Sequence, residues 1–290
     1  MAEGGGAPPP EARRGGAARS VGIALAIVIA VVTFLAGLGL GYFVFAPPAA
    51  KIAFVVGTNV PFPPFESYND TTQKYYGFDI DIAQLVANAL GRPMQVRNFQ
   101  DFGVLLTTIG HGGVDMAVSA ITMSGDVGTK RNQSMSFSNP YYNANQAAIV
   151  LSSSAFSCPN SVCTAALILN KTIGVQSATT SESWVDASIT PYDPNNATHI
   201  HRYASVSNEI DALRTGVYTI MIIDAAPAAS IVAASGGQFK LAGTIITNEL
   251  YGFAVAHNDP NGYLPTINSV LAQIKTNGTY NQLITKWFGS

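Results

Sequence analysis

The sequence predicts an α/β fold built on mostly parallel sheets, preceded by one N-terminal transmembrane helix. Three observations point to it. Short β-branched runs alternate with segments whose apolar residues recur at helical spacing, the signature of strand–helix–strand units. Residues 21–46 form an uncharged run long enough to cross a bilayer with some tilt. The length of 290 residues suffices for one large or two medium domains with a real core.

The N-terminal elements come first. Residues 1–20 are rich in Gly, Pro and Ala and read as a disordered cytoplasmic tail. The run VGIALAIVIAVVTFLAGLGLGYFVFA follows at 21–46, with Arg13, Arg14 and Arg19 before it and only Lys51 soon after. The positive-inside rule then puts the N-terminus in the cytoplasm and residues 51–290 outside, on a single-pass cell-membrane anchor. A cleaved signal peptide is the rival reading, although its apolar core would span only roughly 7–15 residues. No Cys directly follows the run, so a lipid anchor on Cys is not available. Gly37 and Gly41 form a GxxxG, a spacing common in membrane spans that carries little weight alone. APPAA at 46–50 is a short stiff spacer.

From Lys51 onward the alternation begins. KIAFVVGTN reads as a buried strand. In GFDIDIAQLVANALG, Phe78, Ile82, Leu85, Val86 and Ala89 recur at i, i+4, i+7, i+8 and i+11, one face of a helix. Asp79 is its expected N-cap and Gly91 its end. VDMAVSAI is the next strand. KTIGVQS and YTIMIID are further apolar runs, each followed by a helical pattern, and LYGFAVA is a late strand. The closing stretch reads as two helices broken at Asn277–Gly278.

In parallel sheets ligands bind at the carboxyl ends of strands. The residues just after the predicted strands are Asn59, Ser119–Thr122, Gln176–Thr180 and Asp224, with Arg131 nearby. No histidine joins them: His111, His199, His201 and His257 fall in loops or at strand ends and read as solvated. There is no GxGxxG, P-loop, HExxH or GxSxG, and neither a cofactor nor a metal is expected. Charged residues make up 11% of the chain, against roughly 25% in typical soluble domains. A net charge of −2 offers no basic face for nucleic acid. Cys158 and Cys163, close together on the predicted outside, suit a small-loop disulfide better than a metal site. Sequons at Asn69, Asn132, Asn170, Asn196 and Asn277 are compatible with a glycosylated exterior.

Six motifs in order resemble one family over roughly residues 51–290. They are TNVPFPPFESYNDTTQKYYGFDIDIAQLVANALG, DFGVLLTTIGHGGVDMAVSAIT, MSFSNPYY, IGVQSATTSES, LRTGVYTIMIIDAAPA and NGTYNQLITKWFG. The chain is similar to the extracellular solute-binding proteins, family 3, of polar amino-acid ABC transporters, which have the type II periplasmic-binding-protein fold. That resemblance implies two α/β lobes joined by two crossovers. Lobe 1 would comprise 51–142 and 249–290, lobe 2 147–244, with hinges near Tyr142–Gln146 and Asn248–Gly252. It implies a monomer that captures an amino acid in the interlobe cleft and delivers it to an ABC permease, without covalent chemistry.

An α-amino acid presents a carboxylate and an ammonium, which a cleft reads with a bidentate cation and a counter-anion. By the family motif Arg131 takes the carboxylate, while Lys130 is surface. Counting back from Phe137–Ser138 places Arg131 there; counting forward from Thr122 lands on Val127, so the loop SGDVGTK holds about four extra residues. Asp224 would take the ammonium; the alternative is an Asp capping the next helix. The resemblance gives Thr122 a hydroxyl role and Ala120 a carbonyl role. Thr179 and Thr180 would give N–H and hydroxyl donors to the carboxylate, or serve as helix caps. Ala178 stands where the family often has Gly. Phe62 and Phe102 match the rings that sandwich the ligand side chain, and Ile223 adds an apolar wall. Many members with cationic ligands have Asp where this chain has Asn59, which favours a neutral or polar uncharged amino acid. Two alternatives remain. A dehydratase-like enzyme on the same fold would need a general acid, for which Glu66, in the PPFE turn, and Glu182 are the nearby candidates. A sensory ectodomain would need a partner, because residues 1–20 are too short for a signalling domain.

Overall fold

The structure, a computed structural model, describes Met1 and residues 25–38 and 51–289. It divides into two compact units, Met1–Ala50 and Lys51–Ser290. In the first, residues 25–38 form helix α1. Among the described residues no helix is long and apolar enough to cross a membrane; residues 25–38 are the described part of the run expected to span over 21–46. The rest of that run, the expected tail and the spacer lie outside the described residues.

The second unit contains two five-stranded sheets and a small hairpin. It opens with β1 (Phe54–Thr58), the hairpin β2 (Ser67–Asn69) and β3 (Lys74–Tyr76), then α2 (Phe78–Ala89), β4 (Met94–Asn98) and α3 (Phe102–Gly110). β5 (Met116–Ala117), α4 (Gly125–Arg131) and β6 (Met135–Phe137) follow. The chain then enters β7 (Tyr142–Leu151), α5 (Ala165–Ile168), β8 (Ile173–Gln176), α6 (Thr180–Ser188), α7 (Asn196–His199) and β9 (Ile200–Tyr203). Next come α8 (Val206–Arg214), β10 (Ile220–Asp224), α9 (Ala225–Ala234), β11 (Phe239–Tyr251), β12 (Ala254–Ala256), α10 (Leu264–Thr276) and α11 (Thr279–Phe288).

The sheet orders are β4-β1-β5-β12-β6 and β11-β7-β10-β8-β9. β1 runs parallel to both neighbours, pairing Val56 with Val96 and with Met116. β8 likewise runs parallel to β9 and β10. The other pairings, β12 with β5 and β6 and β7 with β10 and β11, are antiparallel. The sheets are therefore mixed rather than mostly parallel. Strand–helix alternation predicts the parallel units, but the reversed direction of the strands that join the two sheets leaves no mark in local sequence. β7 and β11 are those strands: they pair from Phe239↔Leu151 to Tyr251↔Tyr142, where the chain passes between the sheets.

Each sheet is covered on both faces, as the apolar strands require. Phe99, Leu105, Ile109 and Met135 fill one face of the first sheet. Val150, Ile173, Val175 and Ile222 fill one face of the second, where the Cys158–Cys163 disulfide also packs. The remaining core runs on from Phe54 and Ile82 to Met221 and Ile223. Its centre is aromatic: the Phe65 ring lies 5.0 Å from Tyr142, 5.4 Å from Tyr251 and 5.3 Å from Phe288. Fully burying such a side chain contributes about 1.5–3 kcal/mol. The last helix thus clamps the start of the unit near the strands that join the sheets.

α2 begins differently from the sequence expectation. Its N-cap is Gly77 at φ +139°, and Asp79 lies in its buried first turn. A Cβ at position 77 would stand 2.1 Å from the Phe65 carbonyl oxygen, so only glycine allows the PFPPFE turn to pack this closely on the helix. Of the sequons, Asn69, Asn132, Asn170 and Asn277 are exposed. Asn196 is partly buried, and its Nδ2 donates to the carbonyls of Thr190 and Asp193 at 3.1 Å each.

Candidate functional site

The carboxyl ends of β1, β5, β8 and β10 converge on a small cavity between the two sheets. Asn59, Phe62, Phe102, Ala120, Thr122, Arg131, Thr179, Thr180 and Asp224 all line it, joined by Ser119 and Gln176. The strand-end residues gather here because each β-strand stops at the same edge and the following helix turns back over its sheet.

Arg131 reaches the cavity from α4. The segment read as a loop with about four extra residues is a helix, and a turn of helix absorbs those residues in about 6 Å of rise. Gly128 lets it pack: a Cβ there would stand 2.1 Å from the Met123 carbonyl. Arg131 ends the helix at 8% exposure, with Lys130 beside it in solvent. Its Nη1 donates to the Thr122 carbonyl and its Nη2 to the Ala178 carbonyl, each at 2.9 Å. The guanidinium also lies 5.5 Å from the Phe102 ring centre. Among the described residues it forms no salt bridge. Burial lowers its pKa to about 10, and the fields of Glu249 and Asp224 oppose that fall. It therefore stays charged at neutral pH, a buried cation whose spare N–H groups await an anion.

Asp224 closes β10 and is buried. It occupies the N-cap position of α9 but makes no side-chain capping bond, so the capping alternative fails. Its Oδ1 accepts from Gln146 Nε2 at 2.9 Å and from the Tyr251 hydroxyl, leaving Oδ2 without a side-chain donor. Burial, then the nearby Glu249, raises its pKa to about 7. A cation placed beside it would restore the ionised form.

Thr122 Oγ1 donates to Glu249 Oε2 at 2.7 Å, which commits its proton and leaves its lone pairs for a donor. Thr180 Oγ1 lies 3.4 Å away across the cleft. Thr179 takes the second of its two expected roles. Its hydroxyl donates to the Gln176 carbonyl at 2.6 Å and accepts from Glu182 N at 3.2 Å, so it caps α6 and is not free for a ligand. The first amides of α6 remain as anion donors, where the helix dipole favours negative charge. Ala178 adopts φ +64°, the left-handed region that suits the glycine of the family pattern.

Asn59 is held on both ends. Its Nδ2 donates to the Phe99 carbonyl at 2.6 Å, and its Oδ1 accepts from Gln176 Nε2 at 2.8 Å, a bond from one sheet to the other. Sequence reasoning missed Glu249 and Gln146. Gln146 Nε2 bridges Asp224 Oδ1 and Glu249 Oε1, the latter at 2.7 Å. An irregularity between Ile245 and Glu249 turns Glu249 inward: Asn145 Oδ1 accepts from the amides of Thr247 and Asn248 at 2.9 Å each. The lone acid in IITNELYGF was the available signal. Neither proposed general acid lines the cavity. Glu66 is buried behind Ser119, and Glu182 pairs with Arg202 at 2.8 Å.

The pattern that defines the bacterial extracellular solute-binding proteins, family 3, matches residues 54–290. The chain belongs to that family. It is 29% identical over 248 residues to a probable histidine-binding protein of Neisseria gonorrhoeae, covering 84% of this chain and 86% of that protein. It is 26% identical over 247 residues to ABC transporter arginine-binding protein 1 of Escherichia coli, covering 84% and 93%. Its fold superposes at a TM-score of 0.71 on an ancestral arginine-binding protein bound to glutamine, 28% identical, covering 82% of this chain and 98% of that one. The family places residues 51–289 in a two-lobed, type II periplasmic-binding fold of an extracellular binding protein, not an enzyme.

Proposed function

We propose that this protein captures a neutral, polar α-amino acid in the cleft and delivers it to an ABC importer, tethered outside the cell by the apolar run 21–46. Arg131 clasps the carboxylate with the first amides of α6. Asp224, Thr122 and the Ala120 carbonyl take the ammonium, and Phe62 and Phe102 flank the side chain. The lobes, 51–142 with 249–290 and 147–244, close about hinges at 142–146 and 248–252. The protein works as a monomer.

One observation carries this reading. Among the described residues neither the buried Arg131 nor the buried Asp224 forms a salt bridge, and both line one small cavity. A zwitterion satisfies both at once. Beyond Asp224 the lining holds no second carboxylate, and Asn59, Ser119 and Gln176 are themselves neutral hydrogen-bonders, which supports an uncharged side chain. The relatives named for arginine and histidine make cationic amino acids the competing class. Titration of the full-length chain with each of the twenty amino acids, by calorimetry and by melting shift, decides. Tightest binding of a neutral polar amino acid is expected. Tightest binding of L-arginine overturns the side-chain class, and binding of none overturns the amino-acid reading.

A further inference from the structure

Two acids that the cleft does not use lie directly behind it. Glu66 and Asp79 are wholly buried. Asp79 N donates to the Phe65 carbonyl at 2.9 Å, which brings the start of α2 against the turn carrying Glu66. Both acids then hold consecutive cleft residues. Glu66 Oε1 accepts from Ser119 Oγ at 2.8 Å, and Asp79 Oδ2 accepts from Ala120 N at 3.0 Å. Asp79 Oδ2 also accepts from the Tyr141 hydroxyl at 2.8 Å. The other oxygens, Glu66 Oε2 and Asp79 Oδ1, are buried without a partner. No salt bridge reaches either acid among the described residues.

Two neighbouring buried carboxyls without a cation cannot both stay ionised in a dry interior, and one proton held by the pair relieves both. Burial raises both pKa values, Asp79 to about 7 and Glu66 well above its ordinary range, the latter also through Asp79. The other titratable groups facing the pair are Tyr141, Tyr280 and Asp224. None is a cation. Ala120 shows what the pair holds in place: it sits at φ +46°, which a non-glycine residue keeps only when its surroundings impose it.

We propose that Glu66 and Asp79 are positioning residues that share one proton and thereby hold Ser119 and Ala120 in the geometry that receives the amino end of the ligand. This rests on the amino-acid reading of the cleft. Loss of the shared proton at higher pH sets the carboxylates against each other and loosens the 119–120 segment, so affinity falls on the alkaline side. Asp224 acts with the opposite sign, losing its charge on the acid side.

The test uses the full-length chain and L-glutamine, by calorimetry from about pH 6 to about pH 9. Asp79→Asn carries its amide N–H where the shared proton lay and keeps an acceptor for Ala120. It should hold affinity within roughly threefold near neutral pH and lose the alkaline decline beyond that of the L-glutamine amine itself. Asp79→Ala should weaken binding by roughly tenfold or more. Wild-type affinity in Asp79→Ala, or an unchanged alkaline decline in Asp79→Asn, overturns the proposal. A ligand-free arm follows the carboxyl carbons of Asp and Glu by NMR and does not depend on which amino acid binds. The Glu66 midpoint should move down in Asp79→Asn. A midpoint that stays put overturns proton sharing even where L-glutamine fails to bind, whereas failed binding with a shifted midpoint counts against the ligand alone.

Discussion

Arg131 donates from Nη2 to the Ala178 carbonyl at 2.9 Å, so the cation carried by one side of the cleft is seated against the turn that opens α6 on the other. The same guanidinium holds the Thr122 carbonyl. One guanidinium therefore bridges the two sides of the cleft. Arg131→Lys keeps the charge but cannot span both carbonyls and still present a planar fork. It should cost about 2 kcal/mol or more of binding energy, read by calorimetry as a Kd raised at least roughly thirtyfold. Unchanged affinity would remove Arg131 from the site.

Gly128 tests how α4 positions that cation. Gly128→Ala forces a Cβ against the Met123 backbone, and the helix must shift. Overpacking of this kind costs about 1–3 kcal/mol. The loss should fall on amino-acid affinity as well as on stability, because Arg131 is the last residue of the displaced helix. Thermal melts and calorimetry on the same preparation separate the two effects. Lost stability with intact affinity would show that Arg131 is held independently of α4.

Asp224 gives the ligand-free protein a pH dependence of defined sign. Its pKa is raised to about 7 from an ordinary value of about 3.9. The stability it contributes is fully present below about pH 4 and is lost as pH rises through about 7, a span on the order of 4 kcal/mol. The ligand-free protein should therefore melt lower at pH 8 than at pH 5. Asp224→Asn should make that slope shallower, raise the Tm at pH 8 and abolish amino-acid binding. A slope unaltered by the substitution would mean that Asp224 is already ionised in the empty cleft.

The Cys158–Cys163 bond closes a short loop against β11, where Cys158 N donates to Ala242 O at 2.9 Å and Cys163 N to Thr244 O at 2.8 Å. Loop closure over so few residues is worth about 2 kcal/mol. Replacing both cysteines by serine should lower the Tm by a few degrees and leave affinity unchanged, since the bond does not line the cavity. A change in affinity would tie this loop to the closed arrangement of the lobes.

Much of the site was legible because strand ends are legible. Asn59, Ala120, Thr122 and Asp224 each follow or close an apolar run, and a common sheet edge brings such positions together whatever lies between them. Thr179 was half legible: its type suits a cap or a ligand donor equally, and only its bonds to Gln176 and Glu182 show the cap. Asp79 looked like a cap for the same reason, yet Gly77 takes that place and sends the carboxyl inward to Ala120 and Tyr141.

Sequence by itself determined the strand–helix order, the family and the residue types of the cleft, because periodicity, turn chemistry and motif order are local properties of the chain. Tertiary structure decided what depends on distant partners. It set the antiparallel course of β7, β11 and β12, the winding of extra residues into α4 so that Arg131 meets Ala178, and the bulge that turns Glu249 toward Gln146 and Thr122. It also buried Glu66 and Asp79 without a cation. Burial and the charge that balances it are summed over the whole fold, and no window of sequence contains that sum.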